Sequence, residues 1–196
     1  FQPHNPRAHQ VMTDDTDFRD QLADRIFQMG FSCRHCTACC SAVEEDSNLV
    51  LVSAPEVRVI LEATGLTWDD VCEPYPEMID GPAGSKYTLA WALRRTEDHC
   101  IFLQDDGRCA IYEHRPWICR TYPFLLDGEE LVAFTCPGVS DPCTEEKATA
   151  LADELIQRRK FEEEDAMQVQ IHLEKATLPP SGVVVIDSEG VTIING

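Results

Sequence analysis

The segment Phe31-Ser-Cys33-Arg-His-Cys36-Thr-Ala-Cys39-Cys40 places four thiols within eight residues. Cysteines three apart let a short loop aim successive sulfurs at one point, which is how chains build thiolate sites for zinc or for iron–sulfur clusters. Thiolates suit soft and borderline metals, which disfavours Mg²⁺ and Ca²⁺. A second cysteine group follows about sixty residues later: Cys100-Ile-Phe-Leu, Cys109-Ala-Ile-Tyr112, Arg115-Pro-Trp-Ile-Cys119-Arg-Thr-Tyr-Pro-Phe124, and finally Cys136-Pro-Gly138. A metal shared by such segments would tie the first loop to the Cys100–Cys136 region.

These residues, from Phe31 to about Gly138, together resemble the YkgJ-type cysteine-cluster family, a group regarded as zinc- or iron-chelating and as iron–sulfur-containing. The resemblance rests on the Cys33/Cys36/Cys39/Cys40 loop, on Cys100 before Phe-Leu, on Cys109 before Ile-Tyr, and on the Arg-Pro-x-x-Cys-Arg-x-Tyr-Pro-Phe block. It implies Cys33, Cys36, Cys39, Cys40, Cys100, Cys109, Cys119 and Cys136 as metal ligands. Eight thiols suffice for two four-sulfur sites, or for one site with spare thiols. The family also looks related to flagellin lysine methylases, which implies an enzyme context without supplying a catalytic residue here.

Cys72 and Cys143 lie outside the pattern. Cys72 reads as a small buried hydrophobe, whereas Cys143, in a Pro-rich loop, is a candidate auxiliary ligand. His35, His99 and His114 touch the motifs but are expected beside the site or exposed. A metal held by four thiolates is negatively charged, roughly −2 for Zn²⁺. Burying part of that charge asks for donors and positive charge nearby, a role expected of Arg115 and Arg120. Tyr122-Pro123-Phe124 reads as packing that fixes its loop. The period-three cysteines and the Cys136-Pro137 pair are spaced as in bacterial ferredoxins, yet zinc sites use the same short units. No dinucleotide-binding glycine motif, phosphate-binding loop or nucleophile elbow occurs.

A formal charge of −19, with 35 acids, 12 arginines and only four lysines, argues against nucleic acid and anionic membranes as partners. The same balance fits a salt-adapted, archaeal-type cytosol. Phe1 to Gln10 resembles neither a signal peptide nor an anchor, so a cytoplasmic location is expected. Adjacent Cys39 and Cys40 make awkward disulfide partners, since an ordinary bridge needs Cα atoms more than ~4.4 Å apart.

An α+β fold is expected: a small single domain of short strands and hairpins with flanking helices, organised around the cysteine-ligated metal. The pattern predicts a disordered leader over 1–13, a cluster domain over 14–143, a long helix over 144–178 and a C-terminal hairpin over 179–196. Within the cluster domain, Asp14 to Met29 has helical spacing and Gly30 is its stop. Ser53-x-x-Glu56 and Thr67-x-x-Asp70 are capping boxes. Lys86 to Arg95 alternates like one strand, and Cys100–Tyr112 and Leu125–Thr135 read as hairpins turning at Asp106-Gly107 and Asp127-Gly128. A straight hairpin pairing Gln104 with Cys109 would hold the sulfurs of Cys100 and Cys109 roughly 13 Å apart. They then serve different sites unless the hairpin bends strongly.

Three functions fit this sequence. The first is an iron–sulfur protein with a redox or protein-modifying role, acting on a protein partner or another substrate. The second is a zinc-stabilised interaction module without catalysis. The third is a methylase-like enzyme using S-adenosylmethionine on a protein lysine, for which no nucleotide-binding loop is recognisable.

Overall fold

The computed structural model describes residues 6–41, 49–81, 84–96 and 98–194, with backbone alone over 6–15. Its elements are α+β, as expected. They fall into two compact units, one made of 1–34 and 121–159, the other of 35–120 and 160–196. No helix among the described residues is long and apolar enough to cross a membrane.

In the first unit, helix α1 (Pro6–Met29) begins eight residues upstream of the expected start, so it overlaps the predicted leader. A proline in the first turn sacrifices no intrahelical hydrogen bond, which lets the helix start there. Gly30, at φ 73°, ends it, and its N–H caps back onto the Ile26 carbonyl. Leu22 and Ile26 of α1 meet Phe124 of the hairpin β6 (Phe124–Asp127)–β7 (Glu130–Ala133) and Ala148, Ala152 and Leu155 of α5 (Glu145–Lys175). Burying each of the large side chains contributes about 1.5–3 kcal/mol. Arg19 clamps Asp153 of α5 in a two-pronged ion pair, at 2.5 and 2.9 Å. The turn of β6–β7 falls at Gly128-Glu129, one residue later than expected.

The second unit contains two sheets. β1 (Leu51–Val52), β5 (Trp91–Leu93) and β2 (Cys72–Pro74) form an antiparallel sheet in the order β1-β5-β2. β3 (Ile79–Asp80), β4 (Lys86–Thr88), β8 (Val183–Asp187) and β9 (Gly190–Ile194) form the other, with β4 parallel to β8. The expected single strand over Lys86–Arg95 is therefore two strands in different sheets, broken at Leu89-Ala90 where Ala90 accepts the Tyr75 N–H. Helix α2 (Ala54–Thr64) starts at the Ser53/Glu56 capping box and ends at left-handed Gly65, while α3 (Trp68–Val71) uses the Thr67/Asp70 box. Their apolar faces supply Val57, Ile60 and Val71 to a core shared with Val52, Trp91, Leu93, Phe102, Ile111 and Val185. Cys72 lies in that core at 1% exposure. Burial pushes its thiol up to about 12, so it is inert packing. Asp187 binds this unit together: one carboxylate oxygen accepts the Trp91 indole N–H at 2.7 Å, and the other accepts the N–H groups of Glu189 and Gly190 in the β8–β9 turn.

Candidate metal centre

All ten cysteines are free thiols. The loop of the first four is turned by His35 and Thr37, held at φ 50° and 62°. Non-glycine residues there cost about 1–3 kcal/mol each, which persists only where surroundings enforce it. The Thr37 carbonyl accepts the N–H groups of Cys40 (2.7 Å) and Ser41 (3.0 Å). That closes a tight turn ending in Cys39 and Cys40, whose sulfurs stand 3.9 Å apart. Gly107, at φ 79°, neighbours this turn: an added Cβ would stand 3.4 Å from the Thr37 methyl, in van der Waals contact. The Cys100 N–H donates to the Cys40 carbonyl at 2.8 Å, and Ser41 pairs with His99. The two cysteine-bearing segments are stitched backbone to backbone.

The expected straight hairpin over Cys100–Tyr112 is corrected here. Its tip exists, with the Gly107 N–H bonded to the Gln104 carbonyl and Gln104 facing Arg108. Cys109 pairs with Leu103 rather than Gln104. Before that, the Leu103 N–H bonds back to the Cys100 carbonyl, a turn that replaces the straight strand on which the 13 Å separation rested. Cys100 and Cys109 consequently come within electrostatic range of each other. The chain adopts the strong bend.

Cys119 enters on α4 (Trp117–Thr121), where its N–H bonds the Pro116 carbonyl. Every pair among Cys39, Cys40, Cys100, Cys109 and Cys119 interacts electrostatically. These five thiols form one group within the second unit. Burial, reinforced by the neighbouring sulfurs, raises Cys100, Cys109 and Cys119 above the ordinary thiol range. Cys39 is raised chiefly by its hydrogen bond to Cys40, and Cys40 is lowered by the same bond. Three features oppose the crowding of negative charge. The Phe102 N–H bonds the Cys100 sulfur, the Ile111 N–H bonds the Cys109 sulfur, and the Arg115 guanidinium favours the thiolates of Cys39, Cys109 and Cys119. Arg115 is itself fixed over the Tyr112 ring at 3.6 Å and donates to the Tyr112 carbonyl. Arg120 lies over the Trp117 ring, 4.5 Å from its centroid.

The sequence marks further residues besides these five. Cys36 belongs to the same unit and is exposed. Cys33 and Cys136 belong to the first unit, on facing segments joined by the Phe31–Val139 bridge and by the Ser32 N–H to the Gly138 carbonyl. Arg34 and Asp141 lock that junction with two bonds of 2.6 Å. Tyr122 donates to the Thr135 carbonyl, and Phe124 meets Phe31 edge-on at 5.5 Å, the loop-fixing role expected of them. Cys143 points its thiol at the Thr144 carbonyl. His35 and His114 are exposed, and His99 contacts Asp98 and Thr96.

Among the described residues, no three Cys, His, Asp or Glu side chains close into a ready coordination shell. The five thiols are gathered but not converged. Their chemistry nevertheless fits a soft or borderline metal: crowded sulfurs disfavour ionisation until a cation neutralises them, and N–H groups already point at two of them. Sequence reasoning missed Phe102 and Ile111, because backbone donors leave no ligand-like signature.

The model of the CxxCxxCC family, which carries the description "putative zinc- or iron-chelating domain", matches residues 32–147, well over half of the chain. The chain belongs to that family. No solved structure matches it.

Proposed function

We propose that this member of the zinc- or iron-chelating CxxCxxCC family holds an iron–sulfur cluster on Cys40, Cys100, Cys109 and Cys119, and works in electron transfer or in a protein-modifying system. One observation carries the reading: five thiols gather on one unit, and two of them are vicinal. Where each thiolate ligates its own iron, two sulfurs as close as Cys39 and Cys40 cannot both serve. Removing one leaves the four that a cubane cluster needs. Cys40 is the better ligand, since it is the less exposed of the two and its carbonyl is bonded to the Cys100 N–H.

A bound cluster would supply one-electron redox chemistry. The chain's own residues do the rest. Arg115 offsets the thiolate charge, the Phe102 and Ile111 N–H groups bond sulfur and so tune the potential, and exposed Cys36 and Cys39 leave the loop face open to a partner. With a charge of −19, that partner is a protein or small substrate rather than nucleic acid or an anionic membrane.

A zinc reading is favoured by the same vicinal pair. Two thiolates on one tetrahedral zinc, at Zn–S ~2.3 Å, lie about 3.8 Å apart, close to the 3.9 Å between Cys39 and Cys40. Anaerobic purification with metal and acid-labile sulfide analysis separates the two. Iron with equivalent sulfide and a brown visible spectrum supports the cluster, whereas a colourless protein with stoichiometric zinc supports the second reading and overturns the first.

A further inference from the structure

Helix α4 is five residues long and carries Cys119 at its centre. A helix that short has too few internal bonds to hold itself in water, so its placement depends on anchors from elsewhere. At its start, the Trp117 N–H is one of the groups a helix N-terminus leaves without an intrahelical partner. That N–H donates to Oε1 of Glu56 at 2.8 Å, across 61 residues of sequence. The other carboxylate oxygen is already engaged. Oε2 of Glu56 accepts the Ser53 N–H at 2.9 Å and the Ser53 hydroxyl at 2.8 Å, completing the capping box of α2. One carboxylate therefore caps two helices at once, one of them packed in the core through Val57 and Ile60 and the other bearing a thiol of the five-sulfur group.

We propose that Glu56 is a positioning residue for the metal centre: by accepting the Trp117 N–H, its carboxylate fixes α4 against α2 and with it the place of Cys119. The inference rests on the five-thiol group being the metal centre. Its physical content is a lever of two residues. Trp117 is held by Glu56, and the next turn of backbone, closed by the Cys119 and Arg120 N–H groups on the Pro116 carbonyl, sets where the Cys119 sulfur stands relative to Cys100 and Cys109. Without the carboxylate, the Trp117 N–H loses this acceptor and α4 loses its bond to α2, while the Trp117 ring still meets Phe161 and Arg158 still donates to Thr121.

The same chain supplies the variant that separates this role from ordinary helix capping. The α3 box closes with an aspartate, Asp70, whose carboxylate accepts the Thr67 N–H and hydroxyl at 2.9 and 2.6 Å. Glu56→Asp should therefore keep the α2 box while falling one methylene short of Trp117. Glu56→Gln retains an amide oxygen that can accept the Trp117 N–H, and Ser53→Ala weakens the box while leaving the Trp117 bond in place.

The test is an anaerobic titration of the reduced, metal-free chain with cobalt(II) against a competing chelator, following thiolate-to-cobalt charge-transfer absorption, beside a thermal melt of each variant. Glu56→Asp is expected to bind cobalt about 10–100-fold more weakly, the usual cost of losing an outer partner of a metal site, with lower charge-transfer intensity from a lost thiolate. Glu56→Gln restores most of the affinity, and Ser53→Ala binds like wild type despite a lower melting temperature. Wild-type affinity in Glu56→Asp, or equal losses in Glu56→Asp and Ser53→Ala, overturns the positioning role. A wild-type chain that takes up no cobalt, zinc or iron overturns the metal reading itself.

Discussion

The vicinal pair Cys39 and Cys40 is where the two metal readings part. Cys39 is exposed and shares a hydrogen bond with Cys40, which is half-buried and tied through its carbonyl to Cys100. The cluster reading predicts that Cys40→Ser loses most bound metal, while Cys39→Ser keeps it and alters redox behaviour. Metal content and a redox titration of the two variants check this, and equal metal loss would instead place both sulfurs on one zinc. A second residue-scale prediction concerns Arg34 and Asp141. The guanidinium holds the Asp141 carboxyl below the usual aspartate range. A depressed folded-state pKa means the stabilisation is complete above the unfolded value, about 3.9, and fades as pH falls through the folded one. The stability gap between wild type and Arg34→Gln should thus be constant from neutral pH to about 5 and close in more acidic solution. Urea unfolding at a series of pH values measures it, and a gap that widens in acid would contradict the assignment. Arg34 is exposed and Asp141 partly so, and solvent screening keeps the gap small.

Among the elements, the junction of 31–34 with 136–141 is the most demanding sterically. A Cβ on Gly138 would stand 2.2 Å from the Ser32 carbonyl oxygen, so Gly138→Ala must push the two segments apart. A loss of about 1–3 kcal/mol is expected, as for other overpacked sites, read as a lower melting temperature. An unchanged melt would mean the segments do not meet as described. How much of this architecture was legible depends on the range of the interaction that built each part. The capping boxes at Ser53 and Thr67, the stop at Gly30, and the hairpins ending at Ala133 and Ile194 are local, and their residues announce them. The break at Leu89-Ala90 was not legible, because β4 leaves its neighbour to pair in parallel with β8 almost a hundred residues away. Nor was the turn at Cys100–Leu103, where a real Asp106-Gly107 tip disguised a bent approach. For the site, residue types and spacing revealed the thiols. Their grouping into five on one unit, and the Glu56–Trp117 tie, are tertiary facts with no local signature.

At the scale of the whole molecule, each unit has its own hydrophobic core, and the five thiols lie in only one of them. All three tryptophans, Trp68, Trp91 and Trp117, lie in that same unit, so their fluorescence reports on it selectively. Structural metal can contribute ~10 kcal/mol or more of apparent binding free energy to folding. Chelation under reducing conditions should accordingly lower the tryptophan-detected melting temperature sharply, and an identical melt after demonstrated metal loss would separate folding from metal binding. The central claim is that the second unit's gathered thiols hold the metal. Its most direct measurement is iron, zinc and sulfide per chain in anaerobically purified wild type beside Cys119→Ser and Cys72→Ser. The account predicts bound metal in wild type and in Cys72→Ser, and its loss in Cys119→Ser. Full metal content in Cys119→Ser, with the protein folded, would contradict it.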